Sequence, residues 1–264
     1  MKLFSIFGNP VSHSISPKMH NLTLNGFNIN GCYIRTKLED GSKLIDKFNS
    51  LQLNGANITV PHKEYAYELC DELDEFAKQI GAVNTLVKKN GKIYGYNTDA
   101  PGFYRAIKSF GNIKSALILG AGGTAKAIAT ILKKNSIDVE ILNRSKGRLD
   151  YFYENNFIAS SWDEFEPKTY DIIINTTSAG LTDNLFPINK ELLNSLMKKS
   201  KFAFDVIYNN QTPFLTLAKQ NNLTCKDGAD MLLYQGVLAF NLFFENKLNN
   251  EEITNYMKGA FHAT

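Results

Sequence analysis

The segment Ser115-Ala116-Leu117-Ile118-Leu119-Gly120-Ala121-Gly122-Gly123-Thr124-Ala125 decides the fold. Its apolar half is typical of a buried strand, and the residues after it keep helical spacing to about Lys134. In the G-x-G-x-x-A pattern, Gly120 permits a tight turn and Gly122 lets a pyrophosphate approach the backbone. The pattern predicts a dinucleotide site of the Rossmann type, and a glycine turn without ligand is the alternative. The candidate residues are Gly120, Ala121, Gly122, Gly123, Thr124 and Ala125.

The end of the next predicted strand indicates which dinucleotide is bound. NAD-binding domains carry an Asp or Glu there, about 20 residues past the glycines, for the ribose 2′-hydroxyl. This chain has Asn143-Arg144-Ser145-Lys146 instead, and its two cations suit a 2′-phosphate. We therefore expect NADP(H), held by Asn143, Arg144, Ser145 and Lys146. The alternative for Arg144 is a solvated surface side chain.

Strand-length apolar runs alternate with helical spacing along the chain, which predicts an α/β fold with parallel sheets covered by helices. Strands are expected at 2–7, 32–36, 56–59, 85–87, 92–96, 139–142, 171–175, 202–206 and 223–226, and helices at 17–25, 43–51, 102–110, 230–244 and 251–261. Asn90-Gly91 between two runs is a hairpin signal, so an antiparallel pair is expected there. Two α/β domains, 1–100 and 101–230, are expected to form a cleft that binds ligand.

The composition of the 264 residues argues against several classes of protein. A net charge of +3 is too small to indicate a nucleic-acid or an anionic-membrane partner. Three dispersed cysteines indicate no disulfide framework or zinc site, and the four histidines lack metal-ligand spacing. Neither a membrane span nor a signal peptide is recognisable, so the expected setting is the cytoplasm.

Polar residues cluster in the first half, at the predicted ends of strands and starts of helices. Ser14 and Ser16 precede Pro17, which suits the first position of a helix, so they are candidate caps, anion ligands or both. Asn57 and Thr59 point to one side of the third predicted strand because strand side chains alternate.

A dehydrogenase that acts on a secondary alcohol needs a group that exchanges the hydroxyl proton. Lys63 and Asp99 are the candidates, since each follows a predicted strand. Their structural alternatives are a solvated lysine and a helix-capping aspartate. Thr176, in the loop Asn175-Thr176-Thr177-Ser178-Ala179-Gly180 after another strand, is a candidate for the nicotinamide side, or part of a simple polar loop.

Together these segments resemble the shikimate dehydrogenase family over nearly the whole chain. Each motif alone is modest, but their order along the chain is specific. The motifs are Gly8-Asn9-Pro10-Val11-Ser12-His13-Ser14-Ile15-Ser16-Pro17-Lys18-Met19-His20-Asn21, Asn57-Ile58-Thr59-Val60-Pro61-His62-Lys63, Gly81-Ala82-Val83-Asn84-Thr85, Gly95-Tyr96-Asn97-Thr98-Asp99, the loop 120–125, Asn143-Arg144-Ser145, Asp205-Val206-Ile207-Tyr208, and Asp227-Gly228-Ala229 through Gln235-Gly236.

The resemblance implies NADPH-dependent reduction of 3-dehydroshikimate to shikimate, a step toward chorismate and the aromatic amino acids. It also implies that the C-terminal helices, 231–264, complete a substrate-binding first domain. The roles it implies are catalysis for Lys63 and Asp99, the substrate carboxylate for Ser14, Ser16 and Tyr208, ring hydroxyls for Thr59, Asn84 and Gln235 with Asn57 close by, and cofactor contacts for Thr176, Val206 and Gly228.

The sequence departs from the family pattern at three places. Lys126 stands where Arg is usual, the loop 177–180 lacks a Pro, and Asn210 stands where Pro is frequent. Two alternatives stay open: a quinate/shikimate dehydrogenase that uses NAD, and a ligand sensor without catalysis on the same fold. The basic segment 143–146 argues against the first, and Lys63 with Asp99 against the second. The oligomeric state is open, with a homodimer as one alternative.

Overall fold

The computed structural model describes residues 1–208 and 210–262, and the chain divides into two compact units. The first comprises Met1–Gly102 with Leu233–Thr264, and the second comprises Phe103–Leu232. The first segment of the first unit ends at residue 102, where the sequence predicted 100. The second unit ends at residue 232, where the sequence predicted 230. Asn209 and the last two residues of the expected segment 231–264 lie outside the described residues.

The first unit contains a mixed sheet with helices. Its elements are β1 (Lys2–Gly8), α1 (Ser16–Gly26), β2 (Gly31–Lys37), α2 (Leu44–Ser50), β3 (Gly55–Ile58), α3 (Lys63–Leu69), β4 (Glu72–Leu73), α4 (Glu75–Ile80), β5 (Thr85–Lys89), β6 (Lys92–Tyr96) and α5 (Asp99–Ile107), which runs past the boundary. The strand order is β2-β1-β3-β5-β6-β4. Strands β1, β2 and β3 are parallel, whereas β5 runs antiparallel to β3 and β6. The hairpin prediction is confirmed, because Asn90 and Gly91 adopt φ of 51° and 79° between β5 and β6.

The second unit is built on a parallel sheet. Its elements are β7 (Ser115–Leu119), α6 (Gly123–Lys134), β8 (Asp138–Asn143), α7 (Asp150–Glu154), β9 (Ile158–Ser161), β10 (Ile172–Asn175), α8 (Lys190–Met197), β11 (Phe202–Asp205), α9 (Pro213–Gln220) and β12 (Thr224–Lys226). The order β9-β8-β7-β10-β11-β12 is the 3-2-1-4-5-6 order of a dinucleotide-binding sheet. The prediction of an α/β fold with a Rossmann-type domain is confirmed.

The C-terminal helices α10 (Ala229–Phe243) and α11 (Asn250–His262) belong mainly to the first unit. Helix α10 is apolar on most sides, and its Val237, Phe240 and Phe243 are buried. Phe243 stacks on Phe4 of β1 with ring centroids 4.8 Å apart, so apolar burial returns this end of the chain to the first sheet. None of the helices within residues 1–208 and 210–262 combines the length and the hydrophobicity that a transmembrane helix requires.

Candidate active site

A lysine and an aspartate form an ion pair in the first unit. Lys63 Nζ donates to Asp99 Oδ2 at 2.6 Å, and both side chains are mostly buried, with 21% and 13% of their surface exposed. Lys63 is the first residue of α3 and Asp99 the first residue of α5. The structure therefore brings together the two residues that sequence reasoning proposed for proton exchange.

Asn84 holds the other carboxylate oxygen of this pair. Its Nδ2 donates to Asp99 Oδ1 at 2.8 Å and to Thr98 Oγ1 at 3.0 Å. Its Oδ1 accepts the backbone N–H of Thr98 at 2.8 Å and the hydroxyl of Thr85 at 3.1 Å. Both oxygens of Asp99 are thus engaged, which fixes the plane of the carboxylate and the position of the Lys63 ammonium.

Asn57 continues this network toward the middle of the sheet. It is buried on β3, and its Nδ2 donates to Thr85 Oγ1 at 3.1 Å and to the Asn84 carbonyl at 3.4 Å. Its Oδ1 accepts the hydroxyl of Tyr33 at 2.8 Å. Thr59, which lies just past β3, packs its methyl group against Gly8, since a Cβ there would lie 2.4 Å from Thr59 Cγ2.

Ser14 and Ser16 lie at the start of α1 and are buried. Ser14 Oγ donates to Ser16 Oγ at 3.1 Å and accepts the Ser16 N–H at 3.2 Å. Of the alternatives left open for these serines, a cap at the N-cap position itself is not observed, because Ile15 occupies that position and makes no side-chain cap bond. Arg35 of β2 donates from Nη2 and Nε to the Ser14 carbonyl at 2.6 and 3.0 Å, which fixes this turn.

Gln235 lies on the part of α10 that belongs to the first unit, and it is buried. A Cβ on Gly102 would lie 2.7 Å from the backbone nitrogen of Gln235. The lack of a side chain at Gly102 therefore permits the close packing of α5 on α10 that places Gln235.

The glycine loop of the second unit has the geometry of a phosphate cradle. Gly120 adopts φ of 105° at the end of β7, and a Cβ there would lie 2.7 Å from Thr176 Oγ1. A Cβ on Gly122 or Gly123 would meet no described atom within 4 Å, so the space above the start of α6 is open. Gly122 caps this 12-residue helix without a side-chain bond, and Ala125 is fully buried. The free N–H groups and the helix dipole fit a pyrophosphate.

The basic segment lies at the end of β8. Arg144 is exposed, and Asn143 Nδ2 donates to the Ser145 carbonyl at 2.9 Å. Lys146 forms an ion pair with Glu164, which raises the pKa of Lys146 and lowers that of Glu164. Lys146, which was expected to face a phosphate, is thus paired with a carboxylate. This pairing could not be predicted from the sequence, because Glu164 is 18 positions away (164 − 146).

A buried carboxylate organises the loops after β10 and β11. Asp205 accepts hydrogen bonds from Asn175 Nδ2 at 3.1 Å, from the Ile207 N–H at 3.1 Å and from the Thr212 hydroxyl at 2.7 Å. Burial raises the pKa of Asp205 to about 6, against the lowering effect of these bonds. The sequence indicated Asp205 only as part of the motif 205–208. The feature that could have predicted its buried role is its place at a strand end, seven residues before the Thr212-Pro213 start of α9.

Three further candidates lie on these loops. Thr176 donates its hydroxyl to the Leu119 carbonyl at 2.8 Å, just past the last paired residues of β7 and β10. Gly228 approaches Val206 so closely that a Cβ would lie 2.2 Å from the Val206 carbonyl oxygen. Tyr208 is half-buried, and burial raises the pKa of its hydroxyl.

Comparison with known proteins identifies the family. Residues 6–86 match the model of the shikimate dehydrogenase substrate-binding domain. The NADP⁺-dependent shikimate dehydrogenase of Helicobacter hepaticus is 47% identical over 248 residues, which cover 93% of this chain and 92% of that protein. The chain belongs to the shikimate dehydrogenase family.

Solved structures of shikimate dehydrogenases match over almost the full length. The enzyme from Aquifex aeolicus has a TM-score of 0.87 at 32% identity and covers 100% of this chain and 98% of its own. The enzyme from Thermus thermophilus, solved in complex with NADP(H) and shikimate, has a TM-score of 0.86 at 33% identity and covers 98% and 100%.

Two departures from the shikimate dehydrogenase pattern have visible consequences. Lys126 Nζ lies 4.8 Å from the ring centroid of Tyr151, so the ammonium is held by a cation–π contact on the flank of α6. Asn210 Nδ2 donates to the Gly180 and Leu181 carbonyls at 2.9 and 3.3 Å. Asn210 therefore fastens the loop after β10 with hydrogen bonds.

Proposed function

We propose that this protein catalyses the reversible NADPH-dependent reduction of 3-dehydroshikimate to shikimate, with Lys63 and Asp99 as the catalytic pair. The first unit binds the substrate and the second binds the cofactor. The observation that supports this most directly is the Lys63–Asp99 ion pair, whose carboxylate is held from its other side by Asn84.

In this proposal Lys63 carries the proton. The ammonium has three N–H groups, and one of them points at Asp99. Another donates to the carbonyl oxygen of the substrate and transfers its proton as the carbonyl becomes a hydroxyl group. Asp99 holds the ammonium in place before the transfer. Bound NADPH supplies the hydride that reduces the carbonyl carbon.

The remaining polar groups of the first unit orient the ring. Ser14 and Ser16 offer two buried hydroxyls at the start of α1, which suit the substrate carboxylate. Thr59 and Gln235 are assigned to the ring hydroxyls. Asn84, whose amide is engaged by Asp99, Thr98 and Thr85, acts in this proposal by holding the Asp99 carboxylate, and its contact with a ring hydroxyl stays a prediction. Tyr208 of the second unit stays a prediction for the carboxylate.

NADP(H) is favoured over NAD(H) by the end of β8. Asn143, Arg144, Ser145 and Lys146 stand where an NAD-binding domain has a carboxylate, and Arg144 is exposed for a 2′-phosphate. Arg148 ends the short 3₁₀ helix Lys146–Arg148 that follows β8. It is a third exposed cation at this place, and it was not among the residues predicted from the sequence. Thr176, Val206 and Gly228 are assigned to the nicotinamide half.

The test is formation of reduced nicotinamide by the purified protein, followed by absorbance. Shikimate and quinate are each offered with NADP and with NAD. Rapid turnover with shikimate and NADP supports the proposal. Preference for quinate with NAD contradicts the cofactor and substrate assignments, and no turnover by a folded protein that binds NADP favours a ligand sensor.

The setting and assembly of the protein remain proposals as well. A cytoplasmic location fits the three free thiols at Cys32, Cys70 and Cys225, which are stable where glutathione keeps thiols reduced. A homodimer stays a prediction, which sedimentation of the purified protein at several concentrations tests.

A further inference from the structure

A buried tyrosine lies behind the substrate-facing network of the first unit. Tyr33 is 2% exposed, and its hydroxyl donates to Asn57 Oδ1 at 2.8 Å. We propose that Tyr33 is a positioning residue, which presents the amide oxygen of Asn57 as an acceptor for a substrate hydroxyl. This inference rests on the proposed function. It assigns Asn57 the role of a hydrogen-bond acceptor toward the substrate, in addition to its position near the ring.

The contacts of Asn57 fix which end of the amide is available. One atom of the Asn57 side-chain amide is hydrogen-bonded to the backbone carbonyl of Asn84. Since a carbonyl oxygen can only accept, that atom of Asn57 is Nδ2. Thr85 Oγ1 accepts the second Nδ2 hydrogen, because its own hydrogen is donated to Asn84 Oδ1. Both amide hydrogens are used inside the protein, and the amide therefore offers only its oxygen.

Among residues 1–208 and 210–262, Asn57 Oδ1 accepts one hydrogen bond, from Tyr33. An amide oxygen has two lone pairs, so one remains for a ligand. A ligand hydroxyl can donate to it, whereas a carbonyl or an ether oxygen cannot. The site thereby selects a hydroxyl at this position of the ring.

Tyr33 itself is held at its backbone and at its ring. The side chain of Asn21 donates to the Tyr33 carbonyl at 2.8 Å and accepts the Tyr33 N–H at 2.9 Å. The ring of His20 stacks on the Tyr33 ring with centroids 4.2 Å apart and planes 8° apart. The His-Asn pair of α1 thus fixes the phenol, and the phenol fixes Asn57.

His20 is suited to this stacking role. It is 1% exposed, and neither ring nitrogen has a hydrogen-bond partner among the described residues. Burial lowers its pKa to about 3, so the ring is neutral at physiological pH and stacks on Tyr33 without placing a charge in the core.

The experiment compares Tyr33→Phe, Asn57→Ala and the double variant with the wild-type protein by steady-state kinetics. A single neutral hydrogen bond corresponds to a roughly 2- to 10-fold effect, so Tyr33→Phe should raise KM for shikimate by about that factor. KM for NADP should stay unchanged. Because Tyr33 acts through Asn57, adding Tyr33→Phe to Asn57→Ala should change kcat/KM little further.

Tyr170→Phe is the matched control. Tyr170 is 5% exposed in the second unit and donates its hydroxyl to Glu140 at 2.8 Å, outside the proposed binding residues. It should lower the midpoint of thermal unfolding as Tyr33→Phe does but leave KM for shikimate unchanged. If Tyr33→Phe does not fold, Asn21→Ala releases the backbone of Tyr33 without touching Asn57 or Asn84 and should raise the same KM.

The outcomes are distinguishable. Unchanged KM in Tyr33→Phe, or losses that multiply fully in the double variant, would overturn the positioning role while leaving the enzyme activity standing. Absence of turnover in the wild-type protein would overturn the proposed function and this inference together.

Discussion

Replacing Lys63 by Met is the most direct test of the proposed chemistry. Methionine has a similar length but no ammonium, so the variant removes the proton donor and leaves Asp99 with its Asn84 hydrogen bond. Positioned acid–base groups contribute about 10²- to 10⁴-fold to rates. At about 1.4 kcal/mol for each factor of ten, the barrier should rise by roughly 3 to 5 kcal/mol.

The stability of the variant should change less than its rate. Asp99 is mostly buried and would lose its ionic partner, but Asn84 still donates to it, and part of its surface meets solvent. Full loss of one partner in a buried pair costs about 3–5 kcal/mol, and partial exposure reduces this to about 1–3 kcal/mol. Urea unfolding measures the change, and KM for shikimate should vary by less than about tenfold.

Lys92→Met is the control for removing a lysine from an ion pair in the same unit. Lys92 Nζ donates to Glu72 at 2.8 Å, but the two side chains are 57% and 47% exposed. We expect kcat within about twofold of wild type. If Lys63→Met also keeps kcat within about tenfold of wild type while folded, Lys63 is not the proton donor and the proposed role is wrong.

Three further predictions concern the second unit. Arg144→Ala should weaken NADP binding by about 1–3 kcal/mol and spare NAD, as measured by titration; equal losses for both would contradict the 2′-phosphate contact. Gly228→Ala forces a Cβ to 2.2 Å from the Val206 carbonyl oxygen and should raise KM for NADP at least about tenfold, whereas Gly259→Ala, whose Cβ has its nearest neighbour at 3.6 Å, should not. The pKa of Asp205 is raised from 3.8 to about 6, so the folded state binds this proton more tightly than the unfolded state does. The resulting gain in the free energy of unfolding is complete below about pH 4 and is lost as the pH rises through 6. Asp205→Asn should remove a decline of about 3 kcal/mol between these pH values from the unfolding free energy; a parallel pH dependence in both proteins would show that Asp205 titrates normally.

The sequence predicted the elements that have strong periodicity. The glycine loop 120–125, the strand before it, the helix after it and the Asn90-Gly91 hairpin were all expected, because a short local pattern specifies each. Lys63 and Asp99 were expected as a pair on chemical grounds, and in the structure Lys63 Nζ lies 2.6 Å from Asp99 Oδ2.

Short elements and long-range contacts could not be predicted. Helices α3 and α4 have seven and six residues, and β4 has two, which is too short for a periodic signal. The hydrogen bonds Asn84–Asp99, Asn57–Asn84 and Tyr33–Asn57 join residues that are 15, 27 and 24 positions apart along the chain. Such pairs depend on the strand order, which no local pattern encodes.

The hairpin between β5 and β6 explains why these distant residues meet. Because β5 runs antiparallel to β3, the start of β5 lies beside the C-terminal end of β3. Asn84, the residue before β5, is therefore at the same end of the strands as Lys63, the first residue of α3. Because β6 runs antiparallel to β5, the chain leaves β6 at that same end, where Asp99 follows. In an all-parallel sheet, the start of β5 would lie at the opposite end of the strands and Asn84 could not reach the carboxylate. The Asn90-Gly91 turn therefore does more than join two strands, since its register places the group that orients the proposed acid–base pair.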